Sequence, residues 1–241
     1  MGDRFARQRM IAEIGEAGQA RLRSARAVVV GAGGLGSPVI TYLACAGVGK
    51  IRIIDPDKVE ITNLNRQFAH GVADVGRKKA LSAGEFVASI TDDVEVEVSS
   101  RRLDKTNARE LLAGADVIVD CVDNIAVRLV VCEAALELDI PLIEGGVDGF
   151  YGFVTAIRRG SACLGCIGYG EAGEKKAAAL GAAAGVIGSL EALEAIKLLL
   201  GLEGVCFNKM IQFDGLLGEL ETIPIIKNKS CPVCGEYCDE Q

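Results

Sequence analysis

The sequence predicts an α/β fold: a Rossmann-like, doubly wound, mostly parallel sheet, extended by antiparallel strands and carrying a small appendage. Three observations predict it. The apolar run Val28-Val29-Val30 turns through Gly31-Ala32-Gly33-Gly34-Leu35-Gly36 into an apolar helix and returns as Ile51-Arg52-Ile53-Ile54-Asp55, a strand–helix–strand unit. Ala115-Asp116-Val117-Ile118-Val119-Asp120 is a second buried-type strand ending in acid. Beyond Pro141, aromatic and β-branched residues lie between glycines, which predicts that the sheet continues antiparallel.

Half of the 241 residues are hydrophobic, enough for one large α/β domain over 1–241 with at most a small appendage. There is neither an apolar run of membrane-spanning length nor a basic leader, because Met1 leads into Gly2-Asp3-Arg4. A cytoplasmic protein without membrane contact is the expectation. The net charge of −7 and the absence of Trp argue against a nucleic-acid binder, which needs a basic footprint and stacking platforms. Nine cysteines in a cytosolic setting read as thiols, with metal binding or catalysis as uses. Cys45, Cys121, Cys132 and Cys206 stand singly in apolar surroundings and are expected in the core.

In chain order, residues 3 to 23 have helical spacing and form an N-terminal helical arm within 1–25. The nucleotide-binding core follows over 26–157. A buried strand turning on glycines into a helix leaves backbone N–H groups at the helix start, where an anion can rest. Asp55, closing the second strand, is placed to accept hydrogen bonds from ribose hydroxyls. By itself this describes any Rossmann-type nucleotide site, nicotinamide enzymes included. The continuation narrows it: Asn63-Leu64-Asn65-Arg66-Gln67 concentrates four polar donors beyond the ribose-binding acid, as a triphosphate site requires. Arg66 would bind the β- and γ-phosphates, with Asn63, Asn65 and Gln67 orienting them. The alternative is that the asparagines are capping and turn residues and Arg66 a surface charge. His70, the single histidine, is expected to be structural.

Gly76 and Arg77 are expected to open a helix to about Ile90. Lys79 falls in its first turn, where a cation opposes the helix dipole unless an anion lies nearby; a solvated lysine is the alternative. Val94 to Val98 alternates with period two. Since ligands of open parallel sheets bind outside the carboxyl ends of the strands, Asp123 falls at the ligand edge. Asp120 could equally be a turn residue. Asn124 is placed to cap a helix from Ile125 to Leu138.

Cys163-Leu164-Gly165-Cys166 and Cys231-Pro232-Val233-Cys234 suit a closed, structural tetrahedral Zn²⁺ site, which makes the appendage a zinc-binding one. A redox use is the rival, but neither pair sits at a strand-to-helix junction of thioredoxin type. Cys238 is a spare thiol. Residues 167–184 form a crossover segment, read as a loop or marginal helix. A core helix from Ile187 to Leu200 and terminal strands at Ile211–Phe213 and Leu220–Ile226 complete the chain.

Together, Arg7-Gln8, the glycine turn, Asp55-Pro56-Asp57, Asn63 to Gln67, Val75-Gly76-Arg77-Lys78-Lys79, Asp120-Cys121-Val122-Asp123-Asn124 and the cysteine pairs resemble, in the same order, the MoeB/ThiF adenylyltransferases related to ubiquitin-activating enzymes. The resemblance implies ATP bound by Gly31, Gly33, Gly34, Gly36, Asp55, Thr62, Asn63, Leu64, Asn65, Arg66, Gln67, Lys79, Asp123 and Asn124. It implies Lys79 as the phosphate lysine and Mg²⁺ on Asp123. It further implies a homodimer in which Arg7 reaches the partner's nucleotide, and a small β-grasp sulfur-carrier protein as substrate. The catalytic set is then Arg66, Lys79, Asp123 and Arg7. One departure is plain: the cysteine that several relatives carry in the crossover is missing, with none between Cys166 and Cys206. A thioester or persulfide there is not expected, but adenylation needs no enzyme nucleophile. A non-catalytic ATP-binding scaffold and an NAD-dependent oxidoreductase are the competing classes.

Overall fold

The structure, a computed structural model, describes residues 3–168 and 178–237. Its centre is an eight-stranded sheet in the order β3-β2-β1-β4-β5-β6-β7-β8. The strands are β1 (Arg26–Val30), β2 (Lys50–Ile54), β3 (Glu95–Ser99), β4 (Val117–Asp120), β5 (Leu142–Asp148), β6 (Tyr151–Ile157), β7 (Lys209–Asp214) and β8 (Glu219–Pro224). The first five are parallel, and β5 to β8 pair antiparallel. Chain order reverses at β1, which lies between β2 and β4. In sheets with such a reversal, ligands bind outside the carboxyl ends of the strands at that point, here the ends of β1 and β4.

Alternation along the strands sends side chains to two cores. Val29, Ile53, Val119 and Ile143 pack on one face with α3 (Gly36–Ala46), α4 (Lys79–Ile90) and α7 (Gly181–Leu200). Val28, Val30, Ile54, Ile118 and Leu142 pack on the other with α5 (Ala108–Leu112), α6 (Ile125–Leu138) and the four paired cysteines. Both faces of the sheet are covered at β1 and β4, which explains their nearly unbroken apolar runs, whereas β3 at the edge alternates. Two short helices, α1 (Ala6–Arg9) and α2 (Gly15–Ser24), precede the sheet. They dock at the far end of α3, where the Gln8 amide donates to Ala46 O at 2.9 Å and to Gln19 Oε1 at 2.8 Å.

Three expectations change. The helix expected from Gly76 begins at Lys79, because Gly76 and Arg77 instead exchange backbone bonds with Val59 and Lys58 pairs antiparallel with Lys78. Cys45 is exposed rather than in the core: the buried face of α3 runs through Val39, Ile40, Leu43 and Ala44, and Cys45 points the other way beside exposed Tyr42. Helix α7 starts at Gly181 rather than at Ile187, within the segment read as a loop or marginal helix. Residues 169–177 of that segment, and Cys238, lie outside the described residues. Among the described residues, no helix is long and apolar enough to cross a membrane.

Candidate functional site

The site is built around the elbow between β1 and α3. Gly31 has φ +99°, the left-handed region open to glycine, and a Cβ there would lie 2.8 Å from Cys121 O. A Cβ at Gly36 would sit 2.0 Å from Gly31 O, so the turn closes only with glycine at both positions. In the first turn of α3 Ser37 N donates to Gly33 O and Val39 N to Leu35 O and Pro38 has no N–H, so the N–H groups left to meet an anion are those of the glycine elbow that leads into the helix.

Asp55 ends β2 and is 5% exposed. Its Oδ2 accepts the Ala32 amide and its Oδ1 the Asp57 amide, both at 2.8 Å. The carboxylate thus holds the elbow against the second strand, and about two of its four acceptor positions stay open for hydroxyl donors. His70 braces the elbow from behind, with Nε2 2.8 Å from Ala32 O and Nδ1 2.9 Å from Ser82 Oγ. A carbonyl only accepts, so Nε2 carries the proton and Nδ1 accepts from the serine hydroxyl. Burial lowers the His70 pKa, the Ala32 carbonyl opposes this and the Lys79 cation adds to it; the ring is a neutral structural strut.

The polar segment after Asp55 forms a short 3-10 turn, Ile61–Asn63. Asn63 is buried and its Oδ1 accepts the Glu60 amide at 3.0 Å, so the capping alternative describes its present contacts. Asn65 Oδ1 and Thr62 O both accept from Arg66 Nη1, at 2.9 and 3.1 Å. Arg66 and Gln67 lie over the elbow: the Arg66 stem is 3.5 Å from the Cβ position of Gly34, and Gln67 Nε2 is 3.5 Å from that of Gly33. Gln67 is 5% exposed and its Oε1 is buried without a hydrogen-bond partner. An orphaned acceptor beside a glycine elbow suits a bound nucleotide that brings a donor. Helix α7 closes this side, where a Cβ at Gly181 would meet Asn65 O at 2.5 Å. Leu64 is half-buried in the same turn.

Lys79 opens α4 and is 7% exposed, with Nζ 3.5 Å from Asp57 Oδ2. Such a long contact leaves much of an ammonium's donor capacity for an anion. At the end of β4, Asp120 Oδ1 accepts the Val122 amide at 3.0 Å, which confirms the turn role for that acid. Asp123 projects exposed from the next turn, and Asn124 caps α6 by accepting the Val127 amide at 3.0 Å. An exposed carboxylate at the ligand edge is a hard-oxygen donor of the kind Mg²⁺ takes one or two of. Arg7 is exposed on α1, and among the described residues no hydrogen bond or ion pair joins it to the other site residues.

The two cysteine pairs come together on the α6 side of the sheet. Their four Sγ atoms lie within 4.8 Å of one another, with Cys163–Cys231 at 3.7 Å and Cys166–Cys234 at 3.4 Å. A tetrahedral zinc with Zn–S of about 2.3 Å has edges of about 3.8 Å, so these four residues can bind zinc.

Sequence reasoning missed a second charged group behind the site. Asp120, Arg128, Glu144 and Glu191 are all buried. The signal was present in part: Arg128 and Glu191 interrupt apolar faces of α6 and α7, where a charge requires a partner. Asp57, the partner of Lys79, was also passed over as a side chain.

Beside these geometric facts stand the comparisons with known proteins. The ThiF family model matches residues 5–233. The SAMP-activating enzyme E1 of Haloferax volcanii is 41% identical over 97% of this chain and 89% of its own length. The sulfur carrier protein adenylyltransferase of Thermus thermophilus is 36% identical over 97% and 91%. Adenylyltransferase and sulfurtransferase MOCS3 of Anopheles gambiae is 38% identical over 97% of this chain, which spans only 55% of that protein. Among solved structures, E. coli MccB with ATP superposes with a TM-score of 0.86 over 98% of this chain and 74% of MccB. At 22% identity that likeness shows the fold alone.

Proposed function

The chain belongs to the ThiF family, and from that premise we propose that it is an adenylyltransferase that uses ATP to activate the C-terminal glycine carboxylate of a small β-grasp sulfur-carrier protein. The observation that carries this reading is Arg66 over the glycine elbow beside the unpartnered Gln67 Oε1, with a second cation, buried Lys79, opening α4. A nicotinamide site has no use for two cations there.

ATP would lie with its phosphates over the glycine elbow before α3, its ribose on Asp55, and its β- and γ-phosphates on Arg66 and Lys79. A carboxylate oxygen of the carrier's terminus attacks the α-phosphorus. The new O–P bond forms as the bond to the bridging oxygen breaks, and its electron pair leaves on pyrophosphate. No base is required, because the attacking carboxylate is already ionised at neutral pH. Arg66 and Lys79 offset the charge that builds up on the phosphates, so the chain contributes positioning and fixed electrostatics. Asp123 would hold Mg²⁺, which when bound supplies charge neutralisation on the phosphates.

The carrier would dock on the open face of β5 to β8. A concave surface of about 610 Å³ there is lined by Gly146, Tyr151, Phe153, Phe213, Glu219 and Glu221, among others. The four cysteines would hold one structural zinc. Arg7 would act across a homodimer: Gln8 is fixed to Ala46 O, at the opposite end of the 11-residue helix α3 from the elbow, roughly 16 Å along its axis. The relatives named SAMP-activating enzyme and sulfur carrier protein adenylyltransferase support the substrate class. The chain would work in the cytoplasm.

The test is carrier-dependent ATP–pyrophosphate exchange. Wild-type protein should catalyse it, and Arg66→Ala should abolish it with the fold intact. Unchanged exchange in that variant would refute the assignment.

A further inference from the structure

Helix α6 carries a single cation, Arg128, 3% exposed and enclosed by the sheet. Its Nη2 donates to Val122 O at 2.6 Å and its Nη1 to Gly145 O at 2.8 Å. One planar fork therefore spans two elements, the loop after β4 and the middle of β5, a geometry that an ammonium on a flexible stem does not reproduce. Val122 is held on both sides, since Asp120 Oδ1 also accepts its amide. The next residue is Asp123.

Three carboxyls surround this fork. Asp120 ends β4, Glu144 lies in β5 and Glu191 in α7, each no more than 1% exposed. Asp120 Oδ2, Glu144 Oε2 and both Glu191 oxygens have no hydrogen-bond partner. A Cβ on Gly145 would lie 2.6 Å from Glu191 Oε1, so that carboxyl rests on the residue whose carbonyl Arg128 holds. Burial raises all three acids, Glu144 to about 8, while the guanidinium pulls each back. One cation among three acids is close to neutral only if the acids retain protons.

We propose that Arg128 is a positioning residue for adenylation: it clamps the loop bearing Asp123 to β5, so that the metal-binding carboxylate and the strand leading to the carrier face keep one fixed relation. This rests on the adenylation reading only for the role of Asp123. The clamp itself is a property of the backbone bonds. A plain structural charge would contribute stability evenly to the sheet, whereas a clamp acts on one loop and one strand.

Arg128→Lys keeps the cation but not the fork. In the zinc-loaded, full-length protein, amide hydrogen exchange at 122–124 and at Gly145 should then accelerate by about tenfold or more, the equivalent of one charge-assisted hydrogen bond, with β1 and β2 unchanged. The Mg²⁺ concentration for half-maximal pyrophosphate exchange should rise by a similar factor, with the KM for the carrier unaltered. Glu191→Gln, which leaves the fork in place, should stay within about twofold of wild type on the same amides. If Arg128→Lys does not fold, Arg128→Gln/Glu191→Leu removes the cation together with an acid it faces and is read on the same amides. Wild-type protection of the loop in a variant without the fork would overturn the proposal, and so would loss of protection spread evenly over the sheet. If wild-type protein shows no carrier-dependent exchange while the loop result stands, the adenylation reading fails and the clamp survives; if Asp123→Ala retains exchange, the metal role of Asp123 fails and with it the part of the proposal that concerns adenylation.

Discussion

Two groups of charge lie on either side of the loop after β4, and they are held in opposite ways. On the ligand side, Arg66 leans on Thr62 O and Asn65 Oδ1 within its own turn, and Lys79 meets Asp57 only at 3.5 Å. On the interior side, Arg128 bonds two backbone carbonyls at 2.6 and 2.8 Å and faces three buried acids. The first cations are held by contacts that a phosphate can replace at little cost. The second is committed to the backbone, and removing it would strand buried acceptors. On the proposed reading, charge alone does not mark a binding residue, and the marker is charge whose present partners are weak and local.

The comparison can be broken most forcefully on the ligand side. Asp123→Ala and Arg66→Ala should each lower pyrophosphate exchange by at least about a hundredfold, the scale for losing a group that stabilises transition-state charge, and should leave the thermal midpoint nearly unchanged. A large fall in midpoint with retained exchange would reverse the roles of the two groups.

The next effect in size concerns the cysteines. Metal analysis should give about one zinc per chain, and stripping it should detach the C-terminal segment, lowering stability by several kcal/mol. Metal-free protein with an unchanged midpoint would show that the sulfur cluster holds nothing together.

The interior acids sharpen the comparison through pH. Glu144 is raised from 4.5 to about 8, so between those values the folded chain binds protons that the unfolded chain has released. Stability is then full below 4.5 and falls as pH rises toward 8, by up to about 1.4 kcal/mol per unit for the group. His70 has the opposite sign: its pKa is lowered from 6.5, so its contribution is present above 6.5 and lost on acidification. Between pH 6.5 and 8 only the carboxyl of these two acts, and the midpoint should fall across that window in wild type but less in Glu144→Gln. Equal slopes would show that Glu144 does not titrate as part of the cluster. The smallest effect is expected at the brace behind the elbow: His70→Ala should cost about 1 to 3 kcal/mol from the unsatisfied groups it leaves, without changing the Mg²⁺ requirement.

The ligand side was legible in the sequence because its signals are local. A strand, a glycine turn and an acid within 28 to 55 define the elbow, and Asn124 sits one residue before the helix it caps. The interior cluster was not, because Asp120, Arg128, Glu144 and Glu191 come from four different elements and meet only once the sheet is formed. The exposed Cys45 was misplaced for a related reason: its surroundings are apolar in sequence, but the helical period turns it from the core. The start of α4 shifted because a non-local pairing of Lys58 with Lys78 claimed the residues that local pattern gave to the helix.

The most direct measurement is mass spectrometry of a Gly-Gly-terminated β-grasp carrier after incubation with the protein, ATP and Mg²⁺. The account predicts a carrier acyl-adenylate that forms with wild type, disappears when pyrophosphate is added back and is absent with Asp123→Ala. A carrier left unmodified by wild-type protein that binds ATP, or modified equally well by Asp123→Ala, would contradict it.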